Sequence, residues 1–144
     1  FSHPGQPLCV YVPPVRTTAA AAILIADDAA LLRRFMRRVL EAEGHRVHEA
    51  ADGEQTLGAL RLDRAGIGVV VLDLGMPPYG ALEHVKRVLE LRPDGRLVVT
   101  SGLPPDPEVC ALLRRRRVAF LQKPFAAEAL SRAVSGDASA GGSR

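Results

Sequence analysis

From residue 22 onward, short apolar runs alternate with stretches of helical periodicity, and most of the runs end at polar residues. The clearest run is Ile67-Gly-Val-Val-Val-Leu72, nearly unbroken, β-branched and followed at once by Asp73. A run of that length and composition reads as a strand buried on both faces. Ala22–Ala26, Arg46–Ala50, Leu97–Thr100 and Val118–Leu121 read as four further strands. Ala29–Glu43, Gly53–Leu62, Gly80–Leu91, Pro107–Arg115 and Ala126–Val134 read as the helices that follow them, Pro93 closing the third. In the first helix Leu31, Leu32, Phe35, Met36, Val39 and Leu40 recur at helical spacing, and arginines occupy much of the other face. Gly44 stands where its C-terminal cap belongs. Strands and helices that alternate in this way imply a parallel sheet with right-handed crossovers. Aromatics make up only 4% of the chain and Trp is absent, so the core must be built from Val, Leu, Ile and Ala.

Several function classes drop out on composition. The longest apolar stretch, Ala19–Ala26, is far short of a membrane span, and the polar, Pro-rich residues before it do not suit a signal peptide. Cys9 and Cys110 lie far apart, with no CxxC pair or Cys/His cluster, which argues against a disulfide framework or a zinc site and for a reducing cytoplasm. The net charge of +3 comes largely from Arg33, Arg34, Arg37, Arg38 and Arg114–Arg117. No DNA-reading motif accompanies it, so nucleic acid is not the expected partner. Arg114–Arg117 reads as a solvated helix end complementing the helix dipole, or as a partner-docking patch.

In a doubly wound parallel sheet, ligands sit at the carboxyl ends of the strands. Asp27 and Asp28 follow the first strand, Asp73 ends the third, Ser101 follows the fourth and Lys123 follows the fifth. Three carboxylates on one rim repel each other, and a divalent cation is the usual resolution. Hard oxygens without neighbouring His or Cys favour Mg²⁺ over zinc or copper. A carboxylate can act as nucleophile toward phosphorus, with a lysine and a hydroxyl to steady the phosphoryl oxygens. Any one of these aspartates alone could be a simple helix cap; it is their joint placement that points to phosphoryl chemistry.

Ile23-Leu-Ile-Ala-Asp27-Asp28, Val70-Val-Leu-Asp73-Leu-Gly-Met-Pro77, Val98-Val-Thr-Ser-Gly102 and Phe120-Leu-Gln-Lys-Pro-Phe125 resemble the four signature blocks of response-regulator receiver domains, in family order, over residues 22–135. The resemblance implies a flavodoxin-like (CheY-like) sheet of five parallel strands in order 2-1-3-4-5. It implies that Asp73 is the phosphoacceptor, that Asp27, Asp28, Asp73 and the backbone carbonyl of Gly75 hold Mg²⁺, and that Lys123 contacts the phosphoryl group. The bond to Pro124 is cis in relatives. Thr100 and Ser101 both qualify as the switch hydroxyl. Ser101 is preferred, because Gly102 follows it and its 22-residue spacing to Lys123 suits the family, which leaves Thr100 pointing into the sheet or to its opposite face. Phe120 is a plain core aromatic or the family's aromatic switch. The phosphodonor would be a histidine kinase or histidine phosphotransfer domain, and a dimer could form through the fourth helix, fifth strand and fifth helix.

The chain departs from the family after Met76-Pro77, where Pro78-Tyr79-Gly80 is one residue short and lacks the usual Asp-Gly pair, which bears on phosphorylation rate and partner fit. Ser2–Pro13 resembles the last strands of histidine-kinase ATPase domains. Residues 1–21 therefore read as a linker or the end of such a domain, and 136–144 as a disordered tail. On that reading this is the C-terminal receiver of a hybrid sensor kinase at the cytoplasmic side, self-phosphorylating and without turnover of a small molecule. The alternative is a receiver fold that docks partners without being phosphorylated. A dehalogenase-like phosphatase would carry Asp-x-Asp where this chain has adjacent Asp27-Asp28, and a flavin carrier would need a hydroxyl- and glycine-rich loop after the first strand.

Overall fold

The structure, a computed structural model, describes residues 22–63, 66–92 and 95–136. The readings of residues 1–21, of Pro93 and of the tail beyond Gly136 lie outside the described residues. Along the chain run β1 (Ala22–Ala26), α1 (Ala30–Ala42), β2 (Arg46–Ala50), α2 (Gly53–Arg61), β3 (Ile67–Asp73), α3 (Ala81–Leu91), β4 (Arg96–Ser101), α4 (Pro107–Arg115), β5 (Ala119–Gln122) and α5 (Ala127–Ser135). The strands form one sheet in the order β2-β1-β3-β4-β5, every neighbouring pair parallel, as expected. The expected element bounds hold to within a residue or so. β5 starts one residue late, because Arg117 takes a left-handed φ of 57° and the Val118 N–H turns back to donate to the Leu113 carbonyl at 2.8 Å. Gly44, with φ 94°, ends α1 in a conformation that glycine adopts without a Cβ penalty.

The period of two along the strands divides the core into two layers. Ala22, Leu24 and Ala26 of β1 pack with residues of α2, α3 and α4, whereas Ile23 and Ile25 pack with Met36 and Leu40 of α1 and with Leu130 and Val134 of α5. Ile23, Leu24 and Ile25 are completely buried. Each such side chain contributes about 1.5–3 kcal/mol relative to an exposed one, which is why β1 and β3 read as nearly continuous apolar runs, whereas β2 at the sheet edge does not.

The apolar stripe expected of α1 is only partly covered. Leu32, Met36, Val39 and Leu40 face the sheet, but Leu31 is 79% exposed and Phe35 39%. Spacings of four, seven and eight residues from Leu32 stay within the roughly 100°-wide stripe one helix can bury. At roughly 100° per residue, Phe35 lies about 40° and Leu31 about 80° beyond the Val39 edge of that stripe. What the fold delivers to function is the rim at the carboxyl ends of β1, β3, β4 and β5.

Candidate functional site

The rim gathers the acidic residues closely. Asp27, Asp28 and Asp73 each offer a carboxylate oxygen, and the three oxygens lie within 4.8 Å of one another. Asp27 is fully buried, Asp73 is 6% exposed and Asp28 is exposed. Asp27 leaves β1 still tied to β2, its N–H donating to the Ala50 carbonyl at 3.1 Å. Its Oδ1 accepts from the Ala29 N–H at 2.8 Å, in the turn that leads into α1. Asp73 ends β3, and its Oδ1 accepts from the Gly75 N–H at 3.2 Å.

Lys123 reaches in from the loop after β5. Its Nζ donates to Asp27 Oδ2 at 3.0 Å and lies 3.3 Å from Asp73 Oδ1. The backbone holds this loop against β4, the Lys123 N–H donating to the Ser101 carbonyl at 2.8 Å, and the Lys123–Pro124 bond is cis. Burial, and then the Asp27 charge, raise the Asp73 carboxyl above its ordinary range, partly offset by the Gly75 N–H and Lys123. Burial pulls the Lys123 ammonium down, but the hydrogen bond and charge of Asp27, joined by Asp73, outweigh it and leave the group raised. One ammonium thus serves two of three carboxylates. An all-oxygen donor set with surplus negative charge fits a small hard divalent cation.

The two candidate hydroxyls differ in setting. Thr100 is in register with Asp73 across the sheet and fully buried, and its hydroxyl has no hydrogen-bond partner among the described residues. Ser101 ends β4 half-buried, and its Oγ accepts from the Leu103 N–H at 3.1 Å. Phe120 is 2% exposed and packs in the layer shared with α4. Gly75 lies in the turn after β3, exposed.

Two features went unread in the sequence. The short loop after Met76 is stapled to α2: the Gly53 N–H donates to the Pro77 carbonyl at 2.8 Å, and a Cβ on Gly53 would meet the Tyr79 ring at 2.6 Å. Tyr79 in turn lies 5.3 Å from the fully buried His84 ring, and the Arg87 guanidinium sits 4.6 Å from the Tyr79 centroid. His84 shares a helical stripe with Val85, Val88 and Leu89, a spacing that could have marked it as buried. The second feature is Arg33, placed in the sequence with the solvent-facing arginines. It donates from Nη1 to the Asp27 carbonyl at 2.6 Å.

A doubly wound parallel sheet holds its ligands at the carboxyl ends of its strands, and here that rim carries an acidic cluster and a lysine. Comparison with known proteins gives the family. The family profile of the response regulator receiver domain matches residues 23–135. The chain is 32% identical over 113 residues to the C4-dicarboxylate transport transcriptional regulatory protein DctD of Rhizobium meliloti, covering 78% of this chain and 24% of that protein. It is 25% identical over 104 residues to the chemotaxis protein CheY of Thermotoga maritima, covering 72% of this chain and 85% of that one. A solved response regulator receiver protein from Sinorhizobium medicae superposes with a TM-score of 0.68 at 28% identity, over 84% of this chain and 96% of that one. The chain therefore spans about a quarter of the DctD regulator and most of CheY. It belongs to the response-regulator receiver family, whose members serve two-component signalling. Among the described residues no helix is long and apolar enough to cross a membrane.

Proposed function

We propose that Asp73 accepts a phosphoryl group from a phosphohistidine donor in a Mg²⁺-dependent reaction and that the domain changes conformation in response. The observation that carries the reading is Asp73 at the end of β3 with Asp27, Asp28 and Lys123 drawn around it. Asp27, Asp28, Asp73 and the Gly75 carbonyl would hold Mg²⁺. Bound there, the ion supplies positive charge that neutralises the carboxylates and the phosphoryl oxygens. An ionised Asp73 oxygen attacks phosphorus, the P–O bond forms as the P–N bond of the donor breaks, and the imidazole leaves with the electron pair of that bond. Lys123, already charged and within reach of Asp73, offers its ammonium to the incoming phosphoryl oxygens.

Ser101 is the hydroxyl assigned to the phosphoryl group, because it is half-exposed at the rim whereas Thr100 is sealed in the sheet. Phe120, buried beside β4 in the layer with α4, would follow that movement, and α4, β5 and α5 would carry the output or form a dimer. The donor would be a histidine kinase or a phosphotransfer domain. The Ser2–Pro13 pattern supports placing this receiver after the ATPase part of a longer, cytoplasmic kinase chain.

Intact-mass measurement after incubation with acetyl phosphate tests the chemistry. One phosphate adduct is expected with Mg²⁺, none without it and none in Asp73→Asn. A folded protein that gains no adduct, even from a phosphohistidine donor, would instead support a receiver fold that docks partners unphosphorylated. An adduct retained in Asp73→Asn would overturn the assignment of Asp73.

A further inference from the structure

Arg33 projects from α1 into the back of the acidic cluster instead of into solvent. Its side chain is 17% exposed, with Nη1 donating to the Asp27 carbonyl at 2.6 Å and Nε donating to Glu49 Oε1 at 2.8 Å. Glu49 stands on β2, paired in register with Ile25 of β1. Its other oxygen accepts from Arg37 Nη1 at 2.6 Å, and Arg37 Nε donates to Glu41 at 2.9 Å. The hydrogen bonds from Arg37 and then Arg33 hold the Glu49 carboxyl below its usual range, so this brace stays ionised at neutral pH.

Asp27 is consequently fixed at four atoms. β2 holds its N–H, the Ala29 N–H and Lys123 hold its two carboxylate oxygens, and Arg33 holds its carbonyl. The Arg33 N–H goes to Ala29, so the helical ladder begins beyond the Asp27 carbonyl and the guanidinium supplies its donor. A planar guanidinium can serve a carbonyl and a carboxylate together in a fixed geometry, which a lysine cannot.

We propose that Arg33, braced by Glu49, is a positioning residue for cation binding. It locks the Asp27 main chain so that the Asp27 carboxylate meets those of Asp28 and Asp73 around one divalent ion. The inference rests on reading those three carboxylates as the cation site. Arg33 also brings a positive charge to that site, and charge alone predicts that removing it tightens cation binding. Positioning predicts the opposite, so the sign of the change separates the two.

The test is calorimetric titration of the full chain with Mg²⁺, beside thermal melts without metal. Arg33→Met is expected to raise Kd about tenfold, the lower end for loss of an outer partner of a metal ligand. Arg33→Lys recovers part of the affinity. Arg37→Ala breaks the outer network without touching Asp27, and its Kd stays at the wild-type value. Arg33→Met binding Mg²⁺ as tightly as wild type, or more tightly, overturns the proposal. So does an equal loss in Arg37→Ala, which would point to general loosening of α1. Should Arg33→Met fail to fold, Arg33→Lys carries the test, since it keeps the positive charge and loses only the planar fork that serves Asp27 and Glu49 together. A raised Kd in Arg33→Lys supports positioning, and an unchanged one overturns it. Absence of Mg²⁺ binding by wild type is a different failure, that of the cation site itself.

Discussion

Replacing Asp73 by Asn should stabilise the metal-free protein. At an effective dielectric of about 20, charges separated by the 4.8 Å limit of the cluster repel by about 3.5 kcal/mol. Asp27, fully buried, exerts that repulsion on Asp73; Asp28 is exposed and screened, so it adds roughly half as much. Lys123, 3.3 Å from Asp73, attracts it by about 5 kcal/mol on the same scale. Attraction and repulsion nearly cancel, and burial decides the balance. Asp73 is 6% exposed and receives a single long N–H donation from Gly75, too little to replace the water an ionised carboxylate gives up. The net gain on neutralisation is about 1–2 kcal/mol, or a rise in Tm of roughly 3–8 °C for a domain of this size. The sign with pH follows from the raised Asp73 carboxyl: the stability tied to its proton is fully present below the ordinary value of 3.8 and is lost as pH rises through the raised one. The two proteins should therefore melt together near that acidic limit and diverge toward neutral pH. Circular-dichroism melts in EDTA check this, and added Mg²⁺ should lift wild type more than the variant. Asp73→Asn melting at or below wild type in EDTA at neutral pH would refute the reasoning.

Three further outcomes test the surroundings of the site. His84→Leu removes two buried ring nitrogens that lack hydrogen-bond partners among the described residues, and a gain of about 1 kcal/mol is expected in urea titrations. Burial, and then the Arg87 charge, lower the His84 pKa, so wild type holds its full stability above 6.5 and loses it as pH falls; the variant should lack that slope. Gly53→Ala should cost about 1–2 kcal/mol by the same assay, since the 2.6 Å clash with Tyr79 outweighs the helix-propensity gain of about 1 kcal/mol. Asp52→Ala should cost about 1 kcal/mol, because the Asp52 side chain caps α2 by accepting the Gln55 N–H at 2.8 Å.

The parts of this molecule legible in its sequence are those decided by strand ends. Asp27, Asp28, Asp73 and Lys123 each stand at or just beyond the end of an apolar run, so parallel topology alone brings them to one rim. Contacts that depend on sheet register were illegible for the converse reason. Arg33 looks like one more arginine on a basic helix face until the pairing of Ile25 with Glu49 sets an acidic partner beside it. Leu31 and Phe35 failed in the opposite direction, since simple recurrence counts apolar residues without measuring the angle between them.

The loop after Met76 has a structural part of its own. Its missing residue and missing acidic group bore, in the sequence, only on phosphorylation rate and partner fit. In the fold the same segment is an anchor, with Pro77 bonded to Gly53 and Tyr79 wedged between α2 and the Arg87 guanidinium. A receiver must keep strained like charges together at its rim while its surroundings hold still, and such strain persists only where the neighbourhood over-determines it. Here Arg33 braces the β1 side of the cluster and the Tyr79 staple holds the segment after β3. Loosening the two should therefore act differently. Arg33 variants should change cation affinity, whereas Gly53→Ala, which touches no carboxylate of the cluster, should lower stability and leave Mg²⁺ affinity within about twofold of wild type. A Gly53→Ala protein that lost Mg²⁺ affinity as fully as Arg33→Met would show that the two supports are one coupled unit.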